Sequence, residues 1–223
     1  MNVLITGANR GIGLAFVNEY LAQGAEVWAC YRDDHLSLTA LNTDKLHLLQ
    51  WDVTEPLPQR GSLPKSLDIL INNAGIYGPK KQAGQSLENI TPQAMMDLFQ
   101  VNCIGALQVT RTLQPALMAA KGTVANVSSK MGSSGDNSSG SCYAYRASKA
   151  ALVITSKSLA IDLFDKGIRV ITLHPGWVKT DMTHHNGEIT VQVSVEGMAR
   201  VIQRVDQYPM GAFVAYDGKE VPY

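Results

Sequence analysis

A chain of 223 residues with 45% hydrophobic side chains is long enough to fold as one α/β domain around a sizeable core. Nineteen basic and nineteen acidic residues cancel, so no net field draws the protein to nucleic acid or to an anionic membrane, and small neutral partners fit it better. No apolar run approaches the ~20 residues of a membrane helix, and a first strand starting near residue 2 leaves no space for a signal peptide, so the expected location is cytoplasmic.

Val3, Leu4 and Ile5 form a short apolar strand, and Leu14, Ala15, Phe16, Val17, Tyr20 and Leu21 recur at helical spacing. Between them lies Thr6-Gly7-Ala8-Asn9-Arg10-Gly11-Ile12-Gly13, a Gly-rich strand-to-helix turn. Such a turn lets bare backbone approach a pyrophosphate at the positive end of a helix. Tight turns also use glycine for purely steric reasons. Gly24 ends the helix, and residues 25–30 read as a second buried strand that completes a β-α-β unit. In NAD-binding units an acidic residue closes this strand and bonds the adenosine ribose. Here Tyr31 and Arg32 stand in its place, which favours NADP, with NAD the poorer fit. Asp33 and Asp34 are expected to cap a short helix at residues 35–41, and Arg10 offers a second cation.

Residues 46–51 read as a third strand whose end carries Asp52 and Val53, either bordering an adenine ring or merely capping a turn. Pro56, Pro58, Gly61 and Pro64 mark a crossing that is mostly loop. Residues 67–71 form a fourth strand ending in Asn72-Asn73-Ala74-Gly75. Small residues there let a cofactor lie close, while the two asparagines can equally tie strand ends together. A polar loop over residues 78–85 leads to Thr91-Pro92, which opens a long helix. Asn102 interrupts its apolar stripe as either a satisfied core amide or part of a site network, and Pro115 is expected to kink or end it. Residues 123–127 form a fifth strand running into Ser128 and Ser129. A Ser/Gly-rich loop follows, then a helix over residues 145–164 ended by Gly167, a sixth strand at 168–173, a helix at 195–205 and a last strand at 211–216. This alternation predicts a single domain, residues 1–223, with a doubly wound, mostly parallel sheet of about seven strands and helices on both faces. Cys30, Cys103 and Cys142 lack metal-ligand spacing and the adjacent His184 and His185 point apart, so no metal site is expected.

Tyr145 and Lys149 stand four residues apart and share one helix face, so the ammonium is expected to favour the ionised phenol. An unperturbed tyrosine near ~10 is too weak an acid for proton transfer at neutral pH. Ser129, with Ser128 as the alternative, would hydrogen-bond a substrate carbonyl while Tyr145 donates a proton. Both groups fall at the C-terminal edge of the expected sheet, where such folds bind ligands.

Taken together, the chain resembles the short-chain dehydrogenase/reductase family over essentially its whole length. The turn at residues 6–13 resembles the family's TGxxxGxG motif; Asn72 to Gly75 its NNAG; Asn102, Ser129, Tyr145 and Lys149 its catalytic tetrad; and Pro175-Gly176 through Val178 and Thr180 its PG-x-V-x-T segment. The resemblance implies that Tyr145 donates the proton, Ser129 positions the carbonyl, Lys149 holds the nicotinamide ribose and Asn102 holds a relay water. It implies cofactor contacts from Val178 and Thr180, and association as a homo-dimer or homo-tetramer. Residues 145–149 and 211–218 look like the C-factor and sniffer-type carbonyl reductase subgroup. The fifteen residues between Ser129 and Tyr145 exceed the family's commonest spacing by about three. The implied function is NADPH-dependent hydride transfer to a small carbonyl or from an alcohol, with a C-factor-type signalling or sensor protein as the alternative.

Overall fold

The computed structural model describes residues 1–58, 61–78 and 85–223. Strand β1 (Asn2–Ile5) leads through the Gly-rich turn into helix α1 (Gly11–Ala22), followed by β2 (Glu26–Tyr31), a single turn α2 (Leu36–Thr39), β3 (Leu46–Gln50) and β4 (Ile69–Asn72). The second half carries α3 (Pro92–Phe99), a π-helical segment (Gln100–Gly105), α4 (Ala106–Ala120), β5 (Thr123–Val127), α5 (Tyr143–Phe164), β6 (Arg169–His174), α6 (Val191–Gln203) and β7 (Phe213–Ala215). Of the polar loop expected at 78–85, residues 79–84 lie outside the described residues, as do 59 and 60 of the Pro/Gly-rich crossing.

All seven strands pair in parallel in one sheet of order β3-β2-β1-β4-β5-β6-β7. Val3, Leu4 and Ile5 are fully buried because β1 lies between β2 and β4 and helices cover both faces. The two-residue period of the strand sorts these side chains. Val3 and Ile5 join Phe16 and Tyr20 of α1 and Val195 and Met198 of α6, whereas Leu4 joins Val109, Leu113 and Leu117 of α4. Each fully buried leucine or isoleucine contributes roughly 1.5–3 kcal/mol of transfer free energy.

Thr91 caps α3 by accepting the Ala94 N–H at 3.2 Å, with Pro92 in the first turn. Of the two outcomes expected of Pro115, a kink or an end to the helix, the second does not occur. The chain stays helical through it to Ala120, where Lys121 adopts a left-handed conformation at φ 52°. The interruption lies earlier, in the π-helical segment, which inserts extra backbone around Asn102 and turns that side chain inward. Helix α5 starts at Tyr143, two residues before the expected boundary, and α6 starts at Val191, where Thr190 accepts the Val193 N–H. Among the described residues no helix is long and apolar enough to cross a membrane.

Candidate active site

Because every strand is parallel, the ends of β1 to β4 open on the same sheet edge. A cleft of about 490 Å³ runs along it, lined by Gly7, Asn9, Arg10, Gly11 and Ile12 from the first turn. Arg32, Asp52, Val53, Asn73, Ala74, Gly75 and Thr180 complete the part of its wall anticipated from the motifs. The cleft sits where β1 separates β2 from β4, the point at which the strand order reverses. Its floor suits a dinucleotide. Arg10 at the head of α1 provides no side-chain cap for the helix, which leaves first-turn N–H groups available to an anion. Gly7 has φ +61°, and a Cβ there would lie 2.9 Å from Ala74 Cα. Gly13 lies outside the cleft wall. A Cβ on it would come 2.1 Å from the Gly7 carbonyl oxygen, so this glycine lets α1 pack against the turn.

Asn73 ties strand ends together: its Nδ2 donates to the carbonyls of Thr6 at 3.0 Å and Gly7 at 3.1 Å, while Thr6 Oγ1 accepts the Asn73 and Ala74 N–H groups, each at 3.0 Å. Asn72 is buried away from the cleft and donates to Asn126 Oδ1 at 2.8 Å and Thr110 Oγ1 at 3.0 Å. Asp52 accepts both the N–H and the hydroxyl of Thr54, a local turn on the cleft wall. Asp34 accepts the Leu36 N–H at the start of α2, and Asp33 instead takes Arg32 Nε at 2.7 Å. That carboxylate raises the Arg32 pKa further above its ordinary value.

At the far end of the cleft floor, Gly75 marks the passage to the tetrad. An ideal Cβ on Gly75 would stand 3.2 Å from Asn102 Oδ1 and 3.4 Å from Lys149 Nζ. Asn102 clasps the backbone of Ile76, accepting its N–H at 2.8 Å and donating to its carbonyl at 2.9 Å, and also donates to Ser148 Oγ at 2.9 Å. Lys149 is buried and donates to the Val127 carbonyl at 2.9 Å, with Nζ 5.9 Å from the Tyr145 ring centroid. Burial pulls the lysine down to about 8, with Cys103 acting in the opposite sense. Tyr145 is also buried, and burial pushes its hydroxyl up to about 12 while a hydrogen bond from Ser129 lowers it in part. The downward shift expected from the Tyr/Lys spacing is therefore absent: desolvation dominates at Tyr145, the one opposing influence comes from Ser129, and the Lys149 ammonium is turned to the Val127 carbonyl. Ser129 also accepts the Met131 N–H at 3.2 Å, whereas the Ser128 hydroxyl points into the core and donates to the Lys149 carbonyl.

Pro175, Gly176 and Val178 lie beyond the cleft wall. Gly176 has φ +85° and packs against Ile189 and Tyr216, and Val178 is buried and bridged to Ile189. The segment beyond forms a short 3-10 turn, Asp181–Thr183, on which Asp181 lies 3.9 Å from Arg10 Nη1 and 3.1 Å from His185 Nε2. Asp181 is thus a carboxylate partner for His185 that the sequence pattern did not reveal. Trp51, Ile76, Val101, Asp181 and Met182 also line the cleft. Trp51, Ile76, Val101 and Asp181 each adjoin an anticipated position, a signal available from the sequence; Met182 carries none.

The sequence pattern of the short chain dehydrogenase family matches residues 1–190. The chain is 40% identical over 158 residues to the C-signal of Myxococcus xanthus, covering 70% of this chain and 93% of that protein. The fold superposes on the NADPH-bound carbonyl reductase from chicken fatty liver with a TM-score of 0.88 and 32% identity, covering 100% of this chain and 98% of that one. It superposes equally on the carbonyl reductase Sniffer of D. melanogaster, with a TM-score of 0.88, 28% identity and coverage of 100% and 99%. A parallel sheet with a Gly-rich turn at its switch point, a Tyr/Ser/Lys/Asn cluster at one end of the cleft and these likenesses have one common explanation: the chain belongs to the short-chain dehydrogenase/reductase family.

Proposed function

We propose that the protein is an NADPH-dependent oxidoreductase acting on a small carbonyl or the corresponding alcohol. The observation that carries this reading is the continuity at Gly75, where the missing side chain leaves Asn102 Oδ1 and Lys149 Nζ against the cleft floor. When bound, a nicotinamide dinucleotide supplies or accepts the hydride. The first-turn N–H groups of α1 hold its pyrophosphate, Asp52 and Val53 border its adenine, and Val178 and Thr180 serve its carboxamide. Lys149 holds the nicotinamide ribose. Ser129 hydrogen-bonds the substrate carbonyl oxygen, and the Tyr145 hydroxyl gives that oxygen its proton. A hydroxyl held near 12 is a reluctant donor of this kind, so the reading requires Tyr145 to become more acidic once cofactor and substrate are in place.

NADP is the preferred cofactor in this reading because Arg10 and Arg32 both stand on the cleft wall. Support also comes from the chicken carbonyl reductase, which is described as NADPH-bound. The exposed apolar side chains Leu107 and Met118 on α4 and Ile154 and Ile161 on α5 fit association into a homo-dimer or homo-tetramer, which light scattering would read directly. The likeness to a protein named C-signal favours a second reading, a signalling or sensor protein that binds NADP with little turnover. One screen separates the two: NADPH oxidation with diverse aldehydes, ketones and quinones, repeated with Tyr145→Phe. Turnover in the parent that is lost in the variant supports the reductase. NADPH binding without oxidation of any substrate supports the sensor, and near-normal turnover in the variant refutes the role of Tyr145.

A further inference from the structure

Helix α5 begins without a local cap. Its N-cap residue Cys142 adopts a left-handed conformation at φ 52°, directly after Ser141 at φ 55°, and its side chain accepts no first-turn N–H. The first intrahelical bond, from the Arg146 N–H to the Cys142 carbonyl, leaves the N–H of Tyr145 one residue short of a partner within the helix. A side chain sixty positions earlier meets it. Gln85 is 2% exposed, and its Oε1 accepts the Tyr145 N–H at 2.9 Å. Its other end, Nε2, donates to the Tyr77 carbonyl at 2.7 Å. Gly78, at φ +112°, leaves the space this amide occupies, since a Cβ there would stand 3.1 Å from Gln85 Nε2. The Tyr77 ring in turn lies 4.8 Å from the Tyr145 ring, and its hydroxyl is 3.1 Å from Cys142 Sγ.

We infer that Gln85 is a positioning residue for the reaction: it caps α5 from a distance and, by holding both the Tyr145 N–H and the Tyr77 carbonyl, fixes the proton donor against the aromatic wall beside it. The inference rests on the reductase reading for its catalytic consequence and on the hydrogen bonds alone for its structural one. A buried amide with both ends satisfied defines a single arrangement of the two backbone segments. Replacing it by an apolar side chain of similar shape leaves the Tyr145 N–H and the Tyr77 carbonyl unpaired, which costs more than the bond itself contributed. The helix start then loosens, and a proton donor displaced by about 1 Å loses on the order of a hundredfold in rate.

The test compares the parent with Gln85→Met and Gln85→Glu by two measurements. In the methionine variant, amide hydrogen exchange at the Tyr145 N–H is expected to accelerate about tenfold or more. With NADPH and a carbonyl that the parent reduces, kcat is expected to fall about tenfold or more while the dissociation constant for NADPH stays within about twofold. The glutamate variant keeps the Oε1 acceptor and is expected to recover most of both at low pH, where its protonated form can also donate to Tyr77. The inference is overturned if exchange at Tyr145 is unchanged in the methionine variant, or if kcat stays within about twofold of the parent although exchange has accelerated. Should that variant not fold, the glutamate variant decides: an added loss of kcat with rising pH, absent from the parent, supports the inference, and a parent-like profile overturns it. A parent without turnover on any carbonyl defeats the reductase reading instead, and the exchange measurement then judges the cap by itself.

Discussion

Replacing Lys149 by methionine is expected to make the cofactor-free protein less dependent on pH while removing its turnover. Burial lowers this lysine from 10.5 to about 8, a difference worth roughly 3 kcal/mol between its charged and neutral forms. The sign follows from where the proton sits. Below about 8 both folded and unfolded chains carry the charge and the folded protein bears the full desolvation penalty; between about 8 and 10.5 only the unfolded chain is protonated, so stability rises with pH. Integrated from pH 7 to 9, the parent gains about 1 kcal/mol that the methionine variant does not. At pH 7 the variant also leaves the Val127 carbonyl without its partner at 2.9 Å, a loss of about 1–3 kcal/mol that offsets much of the relief. The slope with pH is therefore more decisive than the absolute difference. Urea denaturation of both proteins at pH 7, 8 and 9 measures it, and the other titrating groups cancel in the comparison. A parent whose stability relative to Lys149→Met stays flat across that range would show that the ammonium is not desolvated as the structure has it.

Gly13→Ala places a Cβ 2.1 Å from the Gly7 oxygen and 2.7 Å from Asn73 Nδ2, so the Gly-rich turn must move; NADPH affinity by fluorescence titration is expected to fall about tenfold or more. Arg32→Ala is expected to weaken NADPH about tenfold and leave NADH within about twofold, and equal losses for both cofactors would exclude Arg32 from recognising a 2′-phosphate. His174 is held down at about 4 by burial, helped by Lys130 and opposed by Asp136 and Asp217. Its folded value lies below the ordinary 6.5, so stability falls as pH drops from about 6.5 to 4, and His174→Gln is expected to flatten this limb in denaturation curves at pH 7 and 4.5.

The strands were legible because a parallel sheet covered on both faces needs continuous apolar runs, and Val3-Leu4-Ile5 or Ile69-Leu70-Ile71 cannot be satisfied elsewhere. The motif positions were legible for a related reason: Gly7 stands at positive φ and Gly75 against Asn102 and Lys149, conditions that few residues meet. Helix boundaries were less so. Pro115 lacks only one N–H and its helix has other support, while the π-helical segment at Asn102 has no signature in spacing. The raised Tyr145 hydroxyl of the protein alone was not legible, since an i, i+4 pattern reports which face two residues share and says nothing of how deeply that face is buried. The pairing of Arg32 with Asp33 and the reach of Gln85 to Tyr145 are choices among side-chain partners that emerge only when distant segments meet.

The hydrogen bonds from Asn73 to the Thr6 and Gly7 carbonyls join the Gly-rich turn to a segment made more than sixty residues later. Since β1 lies inside the sheet with β4 on its far side, the Gly-rich turn lacks its ties to Asn73 until that strand docks. Closing so long a chain segment precedes the contacts that reward it, which makes this docking a slow event by comparison with forming α1. Dinucleotide affinity should therefore be among the last native properties to return on refolding, and a bound nucleotide would act as a late thermodynamic latch on the whole sheet rather than a template for its first half.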